Sequence, residues 1–84
     1  MQLLLPETPG NVKRQGMKNL IKVERARHQI TQASLAEKVK VARQTIIAIE
    51  SGRFVPSTIL AFKIARVLNC KTDEIFELEE KDWL

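Results

Sequence analysis

Residues 31–52 read TQASLAEKVKVARQTIIAIESG. Counted from Gln32, apolar or small residues fall at the fourth, fifth, eighth, tenth, fifteenth and eighteenth positions: Leu35, Ala36, Val39, Val41, Ile46 and Ile49. Leu35, Ala36 and Val39 share one face of a helix that Thr31 can cap. Ile46 and Ile49, three apart, share a face of the next. Lys40 and Val41 interrupt the pattern between them. Two helices crossing steeply through a short turn need a small residue at their closest approach, here Ala36, and an apolar plug in the turn, here Val41. The spacing predicts a helix-turn-helix. A second helix limited to 43–51 is marginal alone in water, so neighbours must hold it. That brevity suits a helix that only has to reach across one major groove.

The flanks supply the neighbours. Leu20, Ile21, Val23 and Ala26 predict an apolar stripe on a helix that starts after Met17 and ends near Gln29, with Ile30 plugging the core. Gly52 stops the third helix, RFVP forms a loop, and Ser57 caps a fourth helix whose buried stripe is Leu60, Ile64, Val67 and Leu68. Asn69 ends it. Thr72 is the expected cap of a last turn or two, DEIFEL, with Asp73 and Glu74 near its positive end. Five short helices cover residues 18–78, an all-α architecture. The opening MQLLLPETPGNVKRQG holds two of the three prolines and two of the three glycines and has no sustained period. Residues 1–16 therefore read as a flexible extension, 17–78 as the domain and 79–84 as an acidic tail.

The net charge of +4 is unevenly spread over the 84 residues. Residues 17–66 carry ten Lys or Arg against Glu24, Glu37 and Glu50, whereas from Val67 onward Lys71 and Lys81 face six carboxylates. A basic body attracts a polyanion, and its field raises association rates. One His and one Cys cannot build a metal site of the usual kind, and neither a Gly-rich phosphate loop nor a supported Ser-His-Asp set occurs. An enzyme is rejected, and no cofactor or metal is expected. No apolar run approaches the roughly 18 residues that cross a bilayer. With a single Cys70 and only three leucines before Pro6, no leader is read, and the expected location is the cytoplasm, on the nucleoid when bound to DNA.

In a helix-turn-helix, the residues of the second helix not needed for the core become the reading head. Arg43 can donate two hydrogen bonds to guanine, Gln44 can pair with adenine, and Ala48 can touch a thymine methyl. Gln32, Lys40, Thr45, Ser51 and Arg53 are expected at phosphates, positioning the protein without reading sequence.

The run from Ile30 to Phe76, ITQASLAEKVKVARQTIIAIESGRFVPSTILAFKIARVLNCKTDEIF, closely resembles the XRE or Cro-type helix-turn-helix family. The resemblance covers about residues 18–80. It implies a five-helix, lambda-repressor-like fold, a homodimer on a pseudo-palindromic double-stranded DNA operator, and regulation that is usually repression. It also implies a buried ion pair of Arg25 with Glu50, and in some short members an antiparallel strand pair from the termini, here the segment near Met17 with FELEE. Departures from the pattern are Lys40 where Gly is usual in the turn, Ala42 in place of a Ser or Thr cap, Ser34 where Glu completes a capping box, and apolar Ile47. A second reading is a module that masks a protein, such as the antitoxin of a toxin pair, with Trp83 and Leu84 as anchors. His28 is expected at the surface, and Cys70 as a half-buried small hydrophobe.

Overall fold

The computed structural model describes residues 17–84; the extension expected at 1–16 lies outside them. In order, the elements are β1 (Lys18–Asn19), α1 (Ile21–His28), α2 (Gln32–Val39), α3 (Arg43–Glu50), α4 (Thr58–Val67), α5 (Thr72–Ile75), β2 (Phe76–Glu77) and a 3-10 turn over Glu80–Trp83. Local chemistry accounts for most boundaries. Thr31 Oγ1 accepts the N–H of Ser34 at 2.9 Å, and Ser57 Oγ accepts that of Leu60 at 3.1 Å, so each satisfies one orphan donor of its helix. Ala42 holds the extended cap conformation before α3 but has no side chain to accept. At α5 the cap is Lys71 rather than Thr72: the Lys71 N–H donates to Glu74 Oε1 at 2.8 Å, and Thr72 is inside the helix.

Between α2 and α3 the chain turns through Lys40, at φ 66°. This left-handed conformation lets the Val41 N–H reach the Ala36 carbonyl at 3.0 Å and directs Val41 against the core. Gly52, at φ 81°, supplies the corresponding exit from α3, where no Cβ penalty applies.

The core is Ile21, Leu35, Val39, Ile46, Ile49, Ile64, Leu68 and Ile75, with Ala36, Ala61 and Ala65 among the buried residues around them. The stripes expected for α2 and α3 are buried as expected. On α4, Leu60, Ile64 and Leu68 are buried, Ala61 and Ala65 join them, and Val67 is only partly covered. The first helix departs from expectation. It begins at Ile21, because Lys18 and Asn19 are strand, and it buries Ile21 and Glu24 while Leu20, Val23 and Ala26 are exposed.

The two strands pair antiparallel, Lys18 with Glu77 and Asn19 with Phe76, and the Leu20 N–H extends the contact to the Ile75 carbonyl at 2.8 Å. Asn19 ties this edge to α3: its Nδ2 donates to the Ile49 carbonyl at 2.8 Å while its Oδ1 accepts the Ile21 N–H at 3.2 Å. The segment 79–84 turns back on the start of the unit. Asp82 Oδ2 accepts the N–H of Glu79 at 2.6 Å and of Met17 at 2.9 Å.

Candidate nucleic-acid interface

Because Ile46 and Ile49 point inward, the helical period leaves Arg43 and Gln44 exposed at the start of α3, with Thr45, Ile47 and Ala48 half-buried beside them. Arg43 is braced. Its Nη2 donates to Gln32 Oε1 at 3.2 Å, and Gln32 Nε2 donates in turn to Glu50 Oε1 at 3.1 Å. Glu50 then accepts from Arg25, Nε to Oε2 at 2.6 Å and Nη2 to Oε1 at 3.2 Å, and Arg25 Nη1 donates to the Ile30 carbonyl at 3.0 Å. One polar chain thus runs from the exposed start of α3 through α2 to α1.

The chain has two consequences for the site. Glu50 is matched by a guanidinium, so its negative charge does not oppose the basic face. Gln32, expected to offer its amide and its backbone N–H to a phosphate, uses the amide within the protein, which leaves the backbone N–H in the first turn of α2. The linking role of Gln32 was missed in the sequence, and no local signal carries it, since its partners are eleven and eighteen residues away.

Arg25, Thr31, Gln32, Ala33 and Arg43 line a shallow cleft of about 470 Å³. Arg43 and the N-terminal turn of a helix make this a fitting seat for a phosphate, whereas the Arg25 guanidinium is engaged by Glu50 and the Ile30 carbonyl. At the other end of α3 the Ser51 hydroxyl donates to the Ala48 carbonyl at 3.0 Å and accepts from Arg53 Nε at 3.0 Å. In this arrangement Ser51 holds Arg53, which is half-buried. Lys40 is exposed at the turn.

Away from this face, burial and then the Glu24 carboxylate push the Cys70 thiol up, and its Sγ donates to the Leu68 carbonyl at 3.3 Å. Among the described residues no group of His, Cys, Asp and Glu is placed to hold a metal ion, and no helix is long and apolar enough to cross a membrane.

A family model described as Helix-turn-helix matches residues 21–75, from the start of α1 to the end of α5. The chain belongs to the XRE-type helix-turn-helix family. An uncharacterized HTH-type transcriptional regulator of Methanocaldococcus jannaschii is 52% identical over 66 residues, covering 79% of this chain and all of the relative. A Bacillus subtilis protein of the same description is 47% identical, again over 79% of this chain and the whole of the relative. Among solved structures, a protein from Bacteroides fragilis described as a candidate DNA-binding protein superposes with a TM-score of 0.67 at 33% identity, over 73% of this chain and 98% of that one. The relatives of this XRE-type chain are transcription regulators, not enzymes, and membership implies DNA binding.

Proposed function

We propose that this XRE-type protein is a homodimeric repressor that reads a specific double-stranded DNA operator with α3 in the major groove. Arg43 and Gln44 read base edges, and Ala48 adds an apolar contact. Gln32, Lys40, Thr45 and Arg53 neutralise or position phosphates, Gln32 through its backbone N–H and Arg53 with Ser51 as its support. Two copies related by a two-fold axis would meet half-sites about 34 Å apart, one helical turn of DNA. The protein works in the cytoplasm, on the nucleoid.

The observation that carries this reading is the bracing of Arg43. An exposed arginine held by Gln32, itself held by the Arg25–Glu50 pair, is pre-organised for bidentate contact, which lowers the ordering cost of binding.

The test is fluorescence anisotropy on the gene's own upstream DNA across a salt series, with wild type and the Arg43→Ala, Gln44→Ala double variant. Wild type should prefer upstream over random DNA, with affinity falling steeply as salt rises. The double variant should lose the preference and keep weak, salt-sensitive binding. A wild type without preference at any salt removes the reading. The second reading, a toxin-masking partner module, draws on the exposed Trp83 and Leu84. It would gain ground in that case.

A further inference from the structure

Helix α4 turns an apolar strip outward. Ile59 is 70% exposed and Phe62 58%, three residues apart and so neighbours on one helix face. With Lys63 and Arg66 they line a cleft of about 370 Å³. A second cleft of about 630 Å³ shares Phe62 and Arg66 with the first and continues to Cys70 and Lys71. The outer face of α4 is therefore an apolar strip flanked by the cations Lys63, Arg66 and Lys71, with Glu74 the one carboxylate lining the second cleft.

The end of the chain has the opposite composition. Trp83 is 76% exposed and Leu84 fully so, next to the carboxylates of Glu80 and Asp82. With that exposure, Trp83 does not cover its own α4. The 3-10 turn that carries it is tied to Met17 through Asp82, so the anchor is presented on an ordered base. Strip and anchor are complementary in charge and in apolar character, and neither is covered by the described residues.

We propose that the 79–84 segment of a second copy docks on α4, with Trp83 seated against Ile59 and Phe62 and Glu80 facing the cations Lys63 and Arg66. The exchange is reciprocal, each copy giving its tail to the other, which makes a closed two-fold dimer. This rests on the homodimer reading and names its surface. None of these residues belongs to the set assigned to DNA, so the reading head of each copy stays intact when the contact is lost.

Trp83 is the only tryptophan, so its fluorescence reports on the contact directly. The experiment is sedimentation equilibrium of the full chain without DNA, paired with acrylamide quenching of Trp83 over the same concentration range. The variants are Phe62→Ala, Arg66→Glu and, for sedimentation, Trp83→Ala; all three positions are exposed, and circular dichroism checks that the fold persists. Wild type should dimerise, with Trp83 emission shifting to the blue and becoming shielded in step with the dimer fraction. Phe62→Ala and Trp83→Ala should each weaken association about tenfold or more, as for an aromatic anchor. Dimerisation with Trp83 still fully quenchable, or dimers indifferent to Phe62→Ala, would overturn the docking while leaving the homodimer reading in place. Shielding of Trp83 in monomers would overturn it too, by assigning the tail to its own chain. A wild type that stays monomeric over the whole concentration range overturns the docking, and a single copy per operator in the anisotropy titration removes the homodimer reading as well.

Discussion

Arg25 and Glu50 meet side by side, with Nε 2.6 Å from Oε2 and Nη2 3.2 Å from Oε1, and so join the first helix to the last residue of α3. Their side chains are 14% and 9% exposed. Removing one partner from a pair so covered leaves the other charge poorly solvated and costs about 3 kcal/mol. Glu50→Gln and Arg25→Met should each lower the unfolding free energy in urea by about that much. The double change Arg25→Met, Glu50→Leu should recover most of the loss. A single-variant loss below about 1 kcal/mol would put the pair with ordinary surface bridges.

Ala42 already has cap geometry, at φ −70° and ψ 152°, and lacks only an acceptor. Ala42→Ser should therefore stabilise the fold by about 1 kcal/mol, seen as a higher urea midpoint at unchanged slope. No gain would mean that the first N–H groups of α3 are as well served by water.

Lys40 occupies φ 66°, where a side chain costs about 1–2 kcal/mol relative to glycine. Lys40→Gly should raise stability by somewhat less, about 1 kcal/mol, because glycine also loosens the unfolded chain. If Lys40 meets a phosphate, the same variant should bind DNA more weakly at low salt, with the slope of log affinity against log salt reduced by about 1. Stability and binding would then move in opposite directions.

Asp82 has its carboxyl held below the ordinary value, first by the Glu79 N–H and then by the Met17 N–H. A lowered folded pKa means that its contribution to closing the tail is present above the ordinary carboxylate range and is lost as pH falls through the lowered value. Protection of the Met17 and Glu79 amides against exchange should fall as pH drops through the lowered Asp82 value. Asp82→Ala should show the reduced protection at every pH. Exchange that stays slow in the variant would assign the ordering of the tail to other contacts.

The raised thiol of Cys70, due first to burial and second to the Glu24 carboxylate, favours the neutral form in the folded state. This contribution is complete below the unfolded thiol pKa and disappears as pH rises through the folded one. Reaction with an aromatic disulfide reagent at pH 8 should be slower for the folded chain than in urea, and Glu24→Gln should speed it. Equal rates for that variant and wild type would leave burial as the whole cause.

The α2–turn–α3 core was legible because every residue that builds it answers to a local period. Leu35, Ala36, Val39, Ile46 and Ile49 are buried where helical spacing puts them, and Thr31 and Ser57 cap the helices they precede. The first helix was less legible for the same reason. Its sequence offers more than one apolar line, Leu20 and Val23 as well as Ile21, and spacing cannot choose among them. The choice is made at its start, where Asn19 holds the Ile49 carbonyl and the Leu20 N–H holds the Ile75 carbonyl, turning Ile21 inward and leaving Leu20 and Val23 out.

By itself, then, the sequence determined helices α2 to α4, the caps Thr31 and Ser57, and the exposed pair Arg43 and Gln44, because each depends on neighbours within a turn or two. The tertiary structure alone decided the polar chain through Gln32, the rotation of α1, and the return of Asp82 to Met17, its partner 65 residues away. These are contacts between segments distant along the chain. A glutamine amide or an aspartate carboxylate has many partners within its chemistry, and only the packing of helices fixes which one lies within hydrogen-bond distance.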